Sequence, residues 1–234
     1  MHDLKSVTAI ILAGELGTRL RSIIADRPKP LAEIRSRPFL AYLLDQLIAS
    51  GVNLVVLCTG YLGEQVRAAF GDSYGSLRLL YSQEASPLGT AGALRLALSL
   101  FDSDPVLVMN GDSFFEADLT TFWEWHCART ADATLLLAEA SDTKRYGRVH
   151  VDDAGLVLGF EEKNHNGGAG WINAGVYLLT RRLVETIPAN RAVSLEREMF
   201  PSWIGRGLYG YRSKGRFLDI GTPESLAVAR DFFV

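Results

Sequence analysis

A glycine-rich segment behind the first apolar strand carries the residues best suited to bind phosphate. Gly14 and Gly17 lie between the apolar run Val7–Leu12 and two cations, Arg19 and Lys29. Glycines give a tight loop its backbone freedom, and their missing side chains let main-chain N–H groups approach an anion closely. Because two positive side chains flank this loop, the segment predicts a polyphosphate site.

The spacing of the loop differs from the two most familiar phosphate loops. Its glycines are spaced G-x-x-G and are followed by Thr18 and Arg19, whereas dinucleotide-binding folds use G-x-G-x-x-G and ATPases use G-x-x-x-x-G-K-[ST]. Taken singly, each residue fits an ordinary turn or a solvated surface. Together, at the carboxyl end of a first strand where open α/β sheets bind ligands, they favour phosphate binding.

The composition argues against nucleic acid and membranes as partners. The chain has 234 residues, is 48% hydrophobic and 22% charged, and carries a net charge of −3. It can bury a full core, but no basic tract offers the positive face that a duplex needs, and no apolar run is long enough to span a membrane. The start MHDLKSV lacks the features of a secretory signal, so we expect a cytoplasmic protein.

The elements that must position these residues alternate between strand and helix through the first half. This alternation predicts a parallel sheet covered on both faces. The predicted strands are Val7–Leu12, Leu54–Thr59, Leu77–Tyr81, Val106–Met109 and Ala133–Ala140, and the predicted helices are Pro38–Ser50, Leu62–Phe70, Thr90–Phe101 and a helix from the cap Asp118 to Thr130. Two cysteines, Cys58 and Cys127, are too few for a disulfide framework or a zinc site and are expected to be packing residues.

The second half changes to an antiparallel pattern. An Asp- and Gly-rich turn between Gly147–Val151 and Leu156–Glu161 predicts a hairpin. Further along, the patterns predict a strand at Trp171–Leu179, a helix at Ser194–Phe200 capped by Ser194, strand-like segments within Leu208–Ile220 and a last helix capped by Thr222 with Pro223 at its first position.

Seven segments resemble the sugar-1-phosphate nucleotidyltransferases and follow the order of that family nearly end to end. One such match would be weak evidence, but seven in sequence are strong. The segments are LAGELGTRL with RPKPL, SQEASPLGTAGAL (Ser82–Leu94), VMNGD (Val108–Asp112), YGRV (Tyr146–Val149), FEEK (Phe160–Lys163), INAGVY (Ile172–Tyr177) and FLDIGTPE (Phe217–Glu224).

The resemblance implies both a fold and a reaction. Family members join a nucleoside triphosphate to a sugar 1-phosphate and release pyrophosphate. Their fold is α/β, a Rossmann-like, doubly wound, mixed and mostly parallel sheet with a small antiparallel sugar-binding insert, called the nucleotide-diphospho-sugar transferase fold. It implies a single domain in which residues 1–112 form the nucleotide-binding half and residues 113–234 the sugar-phosphate-binding half. The hexapeptide pattern of the β-helix domain that some relatives carry does not occur, and the resemblance leaves a homo-oligomer open.

The chemistry requires that two anions be positioned and neutralised, because an oxygen of the sugar phosphate attacks the α-phosphorus of the triphosphate. By resemblance, Arg19 lies along the β- and γ-phosphates, and Lys29 lies near the α-phosphate or the bridging oxygen. With Asp112 and Lys163 they form the implied catalytic set. The implied nucleotide contacts are Leu12, Ala13, Gly14, Gly17, Thr18, Arg19, Glu84, Pro87, Gly89, Thr90 and Gly111.

Two aspartates, Asp112 and Asp219, match the metal positions of the family. Mg²⁺ prefers a few carboxylates together with waters and substrate phosphates, so two aspartates are sufficient. Either could instead serve as a hydrogen-bonded residue at a turn or strand end. The implied sugar-phosphate residues are Gly147, Glu162, Lys163 and Asn173, with Lys163 on the phosphate and Glu162 on hydroxyls.

Glu84 bears on the base, because it occupies the position where family members contact the nucleobase edge. A carboxylate fits the paired N–H donors of guanine, whereas uracil and thymine would turn carbonyl oxygens toward it. This favours GTP. The string LRSIIADRPKPL, with the compact length, most resembles guanylyltransferases acting on D-glycero-α-D-manno-heptose 1-phosphate, whose GDP-sugar would serve cell-surface polysaccharide.

Three alternatives stay open at this point: a mannose-1-phosphate guanylyltransferase, a uridylyltransferase acting on N-acetylmuramate 1-phosphate, and a non-catalytic nucleotide-sugar sensor. The sensor predicts loss of Lys29, Asp112, Lys163 or Asp219, and all four are present. Two places depart from the family pattern, since many relatives have a second glycine where Glu15 stands and P-L-T where this chain has Ser22-Ile23-Ile24. Glu15 places a negative charge in a loop expected to hold phosphates, and its side chain is expected to face either solvent or the ribose.

Overall fold

A computed structural model of the chain, which describes residues 4–15, 17–20, 24, 26–161 and 167–233, contains a central eight-stranded sheet with helices against it. The strands are β1 (Thr8–Leu12), β2 (Glu33–Ile34), β3 (Arg37–Pro38), β4 (Leu54–Thr59), β5 (Ser73–Tyr74), β6 (Leu77–Gln83), β7 (Val106–Asn110), β8 (Ser113–Phe115), β9 (Ala133–Ala140), β10 (Arg148–Val151), β11 (Val157–Glu161), β12 (Gly170–Leu179), β13 (Leu208–Ser213) and β14 (Phe217–Asp219). The α-helices are α1 (Phe39–Ala49), α2 (Gly63–Phe70), α3 (Gly89–Leu96), α4 (Leu119–Arg129), α5 (Arg181–Thr186), α6 (Phe200–Trp203) and α7 (Pro223–Phe232).

The central sheet has the strand order β13-β9-β12-β7-β1-β4-β6-β5. Strand β1 pairs in parallel with β4 and β7, and β4 pairs in parallel with β6. Strand β12 runs antiparallel to both of its neighbours, β7 and β9. The sheet is therefore mixed and mostly parallel, and the predicted fold class is confirmed.

Two apolar clusters lie on opposite faces of this sheet and explain why its strands are nearly all apolar. Along β1, Ala9 and Ile11 join one cluster with α1, α2 and α4, while Ile10 and Leu12 join the other with α3 and α5. A strand covered on both faces buries consecutive residues, so it shows no alternation of apolar and polar side chains. This packing holds the carboxyl ends of β1, β4, β6 and β7 at one edge of the sheet.

Most predicted elements are confirmed. In the first half, the helix predicted at Thr90–Phe101 is α3 only as far as Leu96 and continues as a 3₁₀ turn, Ala97–Leu100, while the larger deviations lie in the second half. The helix predicted at Ser194–Phe200 is a π-helical turn, Leu195–Met199, followed by the short helix α6, although Ser194 does cap it by accepting the Arg197 N–H. The strand-like stretch Leu208–Ile220 divides between two sheets, since β13 joins the main sheet and β14 pairs with β8.

Smaller features follow the sequence closely. Asp118 caps α4 through the N–H groups of Thr120 and Thr121, and β10 and β11 form the predicted antiparallel hairpin. The division into a nucleotide-binding and a sugar-binding half stays a prediction, and the main sheet runs across it because β12 pairs with β7. Within the described part of the chain, no helix is long and apolar enough to cross a membrane.

Candidate active site

A cleft of about 320 Å³ opens beside the carboxyl ends of β1, β4 and β6. Nine residues predicted to bind nucleotide or to act in catalysis line it, namely Leu12, Gly14, Gly17, Arg19, Lys29, Glu84, Pro87, Gly89 and Thr90. Glu15, Ala93 and Gly221 complete its lining. The structure thus brings the glycine-rich loop and the Glu84 segment, which are far apart in sequence, to one site.

Short contacts in the glycine-rich loop show why glycine is needed there. Gly17 has a φ of +55°, and a Cβ at this position would lie 3.2 Å from the Cβ of Lys29. Ala13 is buried, and its N–H donates to the Cys58 carbonyl (2.8 Å), which ties the loop to β4. Thr18 and Arg19 follow in a short 3₁₀ turn, Thr18–Leu20. The Arg19 side chain is exposed and makes no ion pair with any residue that the structure describes, so its charge is available to a ligand.

Lys29, which lines the cleft, forms an ion pair with Asp112, which is not among the lining residues. The Lys29 Nζ donates to Asp112 Oδ2 at 2.5 Å, and the exposed fractions of the two side chains are 4% and 20%. Lys29 begins a short 3₁₀ turn after Pro28, in which Pro30 also takes part, so prolines restrict the backbone on both sides. A cation that is buried and held in this way has a defined position before any substrate binds.

Glu15 adds a second carboxylate to the same place. It lines the cleft while part of its side chain remains open to solvent. Repulsion from Asp112 is the main reason why the pKa of Glu15 is raised to about 7; burial adds to this shift and Lys29 opposes it. Glu15 is exposed, as one of the two predicted alternatives required, and it also lies near enough to Asp112 for the two charges to repel.

The turn after β7 places the backbone of Asp112 beside β14, the strand that carries Asp219. A Cβ on Gly111 would lie 2.7 Å from the Leu12 carbonyl, so only glycine lets β7 end this close to β1. Asp112 then lies beside β14, because its carbonyl accepts the Ile220 N–H (2.9 Å) while Asp219 pairs with Ser113. The Asp219 Oδ1 accepts the Gly221 N–H at 2.6 Å.

The donor set around Asp112 fits a hard cation such as Mg²⁺. Among the described residues no cluster of three or more His, Cys, Asp or Glu side chains is arranged for a metal, but two carboxylates suffice for an ion that keeps waters and phosphates as ligands. The mutual repulsion of Glu15 and Asp112 also leaves negative charge that one lysine does not fully offset. Both neighbours of this turn, Asn110 Oδ1 and Ser113 Oγ, are buried and lack a hydrogen-bond partner among the described residues.

Glu84 lies just beyond β6. The segments that follow the neighbouring strands β1 and β4 carry glycines, Gly14 and Gly60, beside it. A Cβ on Gly14 or Gly60 would lie 3.0 or 2.6 Å from Glu84 Oε1. The other oxygen, Oε2, accepts the Leu88 N–H at 2.9 Å. Burial raises the pKa of Glu84, and the Leu88 hydrogen bond opposes this shift. The two glycines therefore leave room for a half-buried carboxylate in the wall of the cleft.

The predicted sugar site is described only in part. Glu162 and Lys163 lie outside the described residues. Gly147 precedes β10 with a φ of +76°. Asn173 lies on β12, where its Nδ2 donates to the Tyr177 hydroxyl (2.9 Å) and its Oδ1 accepts the Gly175 N–H (2.8 Å). Its oxygen is therefore already bonded, and one amide hydrogen is left for a ligand.

Sequence analysis missed Glu196, which connects Thr90 in the cleft wall to the buried Tyr177 of β12. Its carboxylate accepts hydrogen bonds from the hydroxyls of Thr90 (2.8 Å), Ser194 (3.0 Å) and Tyr177 (3.3 Å). Thr90, a predicted nucleotide contact, is thus already bonded within the protein. No local pattern marks Glu196, since Thr90 lies 106 positions away in the sequence.

Comparison with known proteins places this geometry in a family. The family model described as "Nucleotidyl transferase" matches residues 8–233. A D-glycero-alpha-D-manno-heptose 1-phosphate guanylyltransferase from Aneurinibacillus thermoaerophilus is 37% identical over 223 residues, which cover 95% of this chain and 96% of that protein. A mannose-1-phosphate guanylyltransferase from Mycobacterium tuberculosis is 37% identical over 222 residues, which cover 93% of this chain and 62% of that protein.

A solved structure agrees with these relatives. The crystal structure of HddC from Yersinia pseudotuberculosis, complexed with GMP-PN, superposes with a TM-score of 0.85 at 31% identity and covers 97% of this chain and 100% of that one. Enzymes of this family generally use a divalent metal. The match over nearly the whole chain confirms the enzyme class that the seven segments predicted, and the chain belongs to the nucleotidyl transferase family.

Proposed function

We propose that this protein transfers GMP from GTP to a sugar 1-phosphate and releases pyrophosphate, with D-glycero-α-D-manno-heptose 1-phosphate as the sugar substrate. The observation that carries the base is the Glu84 carboxylate between Gly14 and Gly60 in the wall of the cleft. The names of two relatives at 37% identity support guanylyl transfer, and one of them supports the heptose. The GDP-heptose would serve cell-surface polysaccharide, and we propose a cytoplasmic location for its synthesis.

Guanine recognition would use both oxygens of Glu84. Guanine presents N1–H and an exocyclic amine side by side, and each carboxylate oxygen can accept more than one hydrogen bond. The Leu88 N–H uses one lone pair of Oε2, so both oxygens keep the capacity to accept from the base. Hydrogen bonds to an ionised acceptor are about twice as strong as neutral ones, which gives this edge its selectivity.

The phosphates would lie between the glycine-rich loop and Lys29. Arg19 would neutralise the leaving β- and γ-phosphates, while the buried Lys29 would stabilise charge that develops around the α-phosphate. Because Lys29 donates to Asp112 at 2.5 Å, the lysine is held in place and charged before the nucleotide arrives. A group fixed in advance needs no reorganisation in the transition state, which is how such sites gain rate.

Asp112 and Asp219 would hold Mg²⁺, which supplies positive charge for the triphosphate when it is bound. On the sugar side, Lys163 would bind the sugar phosphate, while Glu162, Asn173 and the Gly147 main chain would bind the sugar. Lys163→Ala is then expected to raise the KM for sugar 1-phosphate much more than the KM for GTP, and equal effects on both would contradict this assignment.

The test is a pyrophosphate-release assay with Mg²⁺ that crosses GTP, ATP, UTP and dTTP with the 1-phosphates of heptose, mannose, glucose and N-acetylmuramate. We expect the highest kcat/KM for GTP with the heptose. Mannose as the better sugar would favour the mannosyl enzyme, and UTP with N-acetylmuramate would favour the uridylyltransferase. No release with any pair would support a nucleotide-sugar sensor and refute the proposed reaction.

A further inference from the structure

Glu196 links the cleft wall to the strand that carries Asn173 through a single carboxylate. Its Oε2 accepts from the hydroxyls of Thr90 (2.8 Å) and Ser194 (3.0 Å), and its Oε1 accepts from the hydroxyl of Tyr177 (3.3 Å). Thr90 lines the cleft at the start of α3, whereas Tyr177 lies in β12, the strand that carries Asn173. Glu196 therefore joins α3 and β12 by polar contacts, in addition to the apolar cluster to which both elements belong.

The direction of the hydrogen bond from Tyr177 is determined by its other partners. The amide Nδ2 groups of Asn173 (2.9 Å) and Asn110 (3.3 Å) both donate to the Tyr177 oxygen. An amide nitrogen cannot accept, so the phenolic hydrogen is left for Glu196. Tyr177 is fully buried, and burial, followed by the Glu196 charge, raises its pKa well above the ordinary value. It stays a donor, and Glu196 is its acceptor.

The backbone around Glu196 holds this carboxylate against α3. Glu196 lies in the π-helical turn Leu195–Met199, and the Leu195 N–H donates to the Thr90 hydroxyl at 2.8 Å. Just before this turn, the Val193 carbonyl accepts the Ala91 N–H at 3.0 Å. Short π-helical segments are rare and are found frequently at functional sites. These hydrogen bonds fix the turn against α3. Glu196 therefore has a defined position relative to α3, and its contact with Tyr177 relates that position to β12.

We propose that Glu196 is a positioning residue that keeps the nucleotide wall, through Thr90, and the sugar strand, through Tyr177, in one alignment. Glu196 is not among the residues that line the cleft. Its carboxylate orients the Tyr177 hydroxyl, which orients the amide of Asn173, and the same carboxylate holds the Thr90 hydroxyl. In-line attack requires the two substrates to be placed to within a fraction of an ångström, so an acceptor shared by both sides couples their binding. The inference rests on the proposed function.

The test is a double-mutant cycle between Thr90→Val and Tyr177→Phe, built once in the wild type and once in Glu196→Gln. Thr90→Val replaces the hydroxyl by a methyl group of similar size, and Tyr177→Phe removes only the hydroxyl. Two quantities are measured, the kcat/KM for sugar 1-phosphate at saturating GTP and the Kd for GTP by calorimetry without sugar. In the wild type we expect the double variant to deviate about threefold or more from the product of the two single effects, as groups in one hydrogen-bond network do.

In the Glu196→Gln background the double variant should deviate about onefold from the product of the two single effects, which means no coupling, because the shared carboxylate is gone. Tyr177→Phe should also weaken GTP binding in the wild type, although Tyr177 lies away from the cleft lining, and this effect should disappear in Glu196→Gln. The matched control is Glu198→Gln in the same turn, where an exposed glutamate pairs with Arg191 at 3.0 Å and should leave the coupling intact.

Coupling that is absent in the wild type, or that persists unchanged in Glu196→Gln, would overturn the proposal. Circular dichroism and thermal melting show whether each variant folds. If Glu196→Gln does not fold, Glu196→Asp replaces it, since its shorter carboxylate cannot span Thr90 and Tyr177, and the same outcomes decide. Failure of the wild type to turn over any substrate pair refutes the proposed function instead; the cycle on the Kd of whichever nucleoside triphosphate binds still tests Glu196.

Discussion

Replacement of Lys29 by methionine separates the catalytic use of its charge from its contribution to folding. Methionine keeps much of the buried length of the side chain and removes the ammonium that donates to Asp112 at 2.5 Å. Removing one partner of a buried ion pair costs about 3–5 kcal/mol, and we expect the lower end, about 3 kcal/mol, because Asp112 is partly hydrated. For a domain of this size that lowers Tm by about 6–12 °C.

The catalytic loss should be independent of that stability loss. A preorganised donor at the reacting centre is typically worth about 10²–10³ in kcat. Lys29→Met is therefore expected to lower kcat by this factor at a temperature where the variant remains folded, with kcat followed by pyrophosphate release and Tm by calorimetry. The control is Lys214→Met, an exposed lysine in the turn between β13 and β14, which should change stability by less than about 0.5 kcal/mol.

A double variant, Lys29→Met with Asp112→Asn, makes the prediction sharper. Because it leaves no buried charge without a partner, it should regain about half or more of the lost unfolding free energy. Its turnover should stay as low as that of Lys29→Met or fall further. The reasoning is refuted if Lys29→Met keeps kcat within about tenfold of the wild type, or if the double variant is less stable than Lys29→Met by several kcal/mol.

Three further outcomes are expected. Asp112→Asn should still fold but with a lower Tm, because it leaves the buried Lys29 ammonium without its carboxylate partner, and it should lose Mg²⁺-dependent turnover; a near-normal rate in the release assay would remove Asp112 from the metal site. Glu84→Gln should lower the kcat/KM preference for GTP over UTP by about tenfold or more, because an amide edge can donate as well as accept; an unchanged preference would move base recognition elsewhere. His126, which is buried against Thr134, has its pKa lowered to about 4, chiefly by burial. Below pH 6.5 the unfolded chain therefore binds more protons at this residue than the folded chain does. We expect this difference to lower the free energy of unfolding by about 2.5 kcal/mol between pH 7 and pH 4.5, as measured by urea unfolding, and this contribution should be absent in His126→Gln.

The first half of the fold could be predicted because local pattern and burial agree there. The strand predicted at Leu54–Thr59 is observed with the same bounds, since a strand covered on both faces reads as an unbroken apolar run. The helix cap at Asp118 could also be predicted from the sequence, because its side chain bonds only to residues two and three positions away. In these cases the forces that decide the structure act within a few residues of one another.

The second half could be predicted less well because distant contacts decide it. A π-helical turn and an α-helix share nearly the same apolar spacing over five residues, so the segment Leu195–Met199 gave no local sign of its extra residue. Glu196 acquires its partners only when Thr90 and Tyr177 meet in the folded chain. Similarly, the resemblance to the family predicted a role for Glu84. That Gly60 must be a glycine could not be predicted, because it follows from the close approach of the Glu84 carboxylate to Gly60 in the folded chain.

The direction of β12 has a consequence for how the two substrate preferences could change independently. Strands β1, β4, β6 and β7 end at the cleft, whereas β12 runs antiparallel to β7 and begins there. Under the proposed function, segments that leave the sheet would select the nucleotide, and Asn173, near the start of a strand that enters the sheet, would help to select the sugar. Substitutions near the start of β12 are then expected to alter the choice of sugar while the glycine-rich loop stays unchanged. A fold arranged in this way would allow the preference for one substrate to change while the preference for the other is kept.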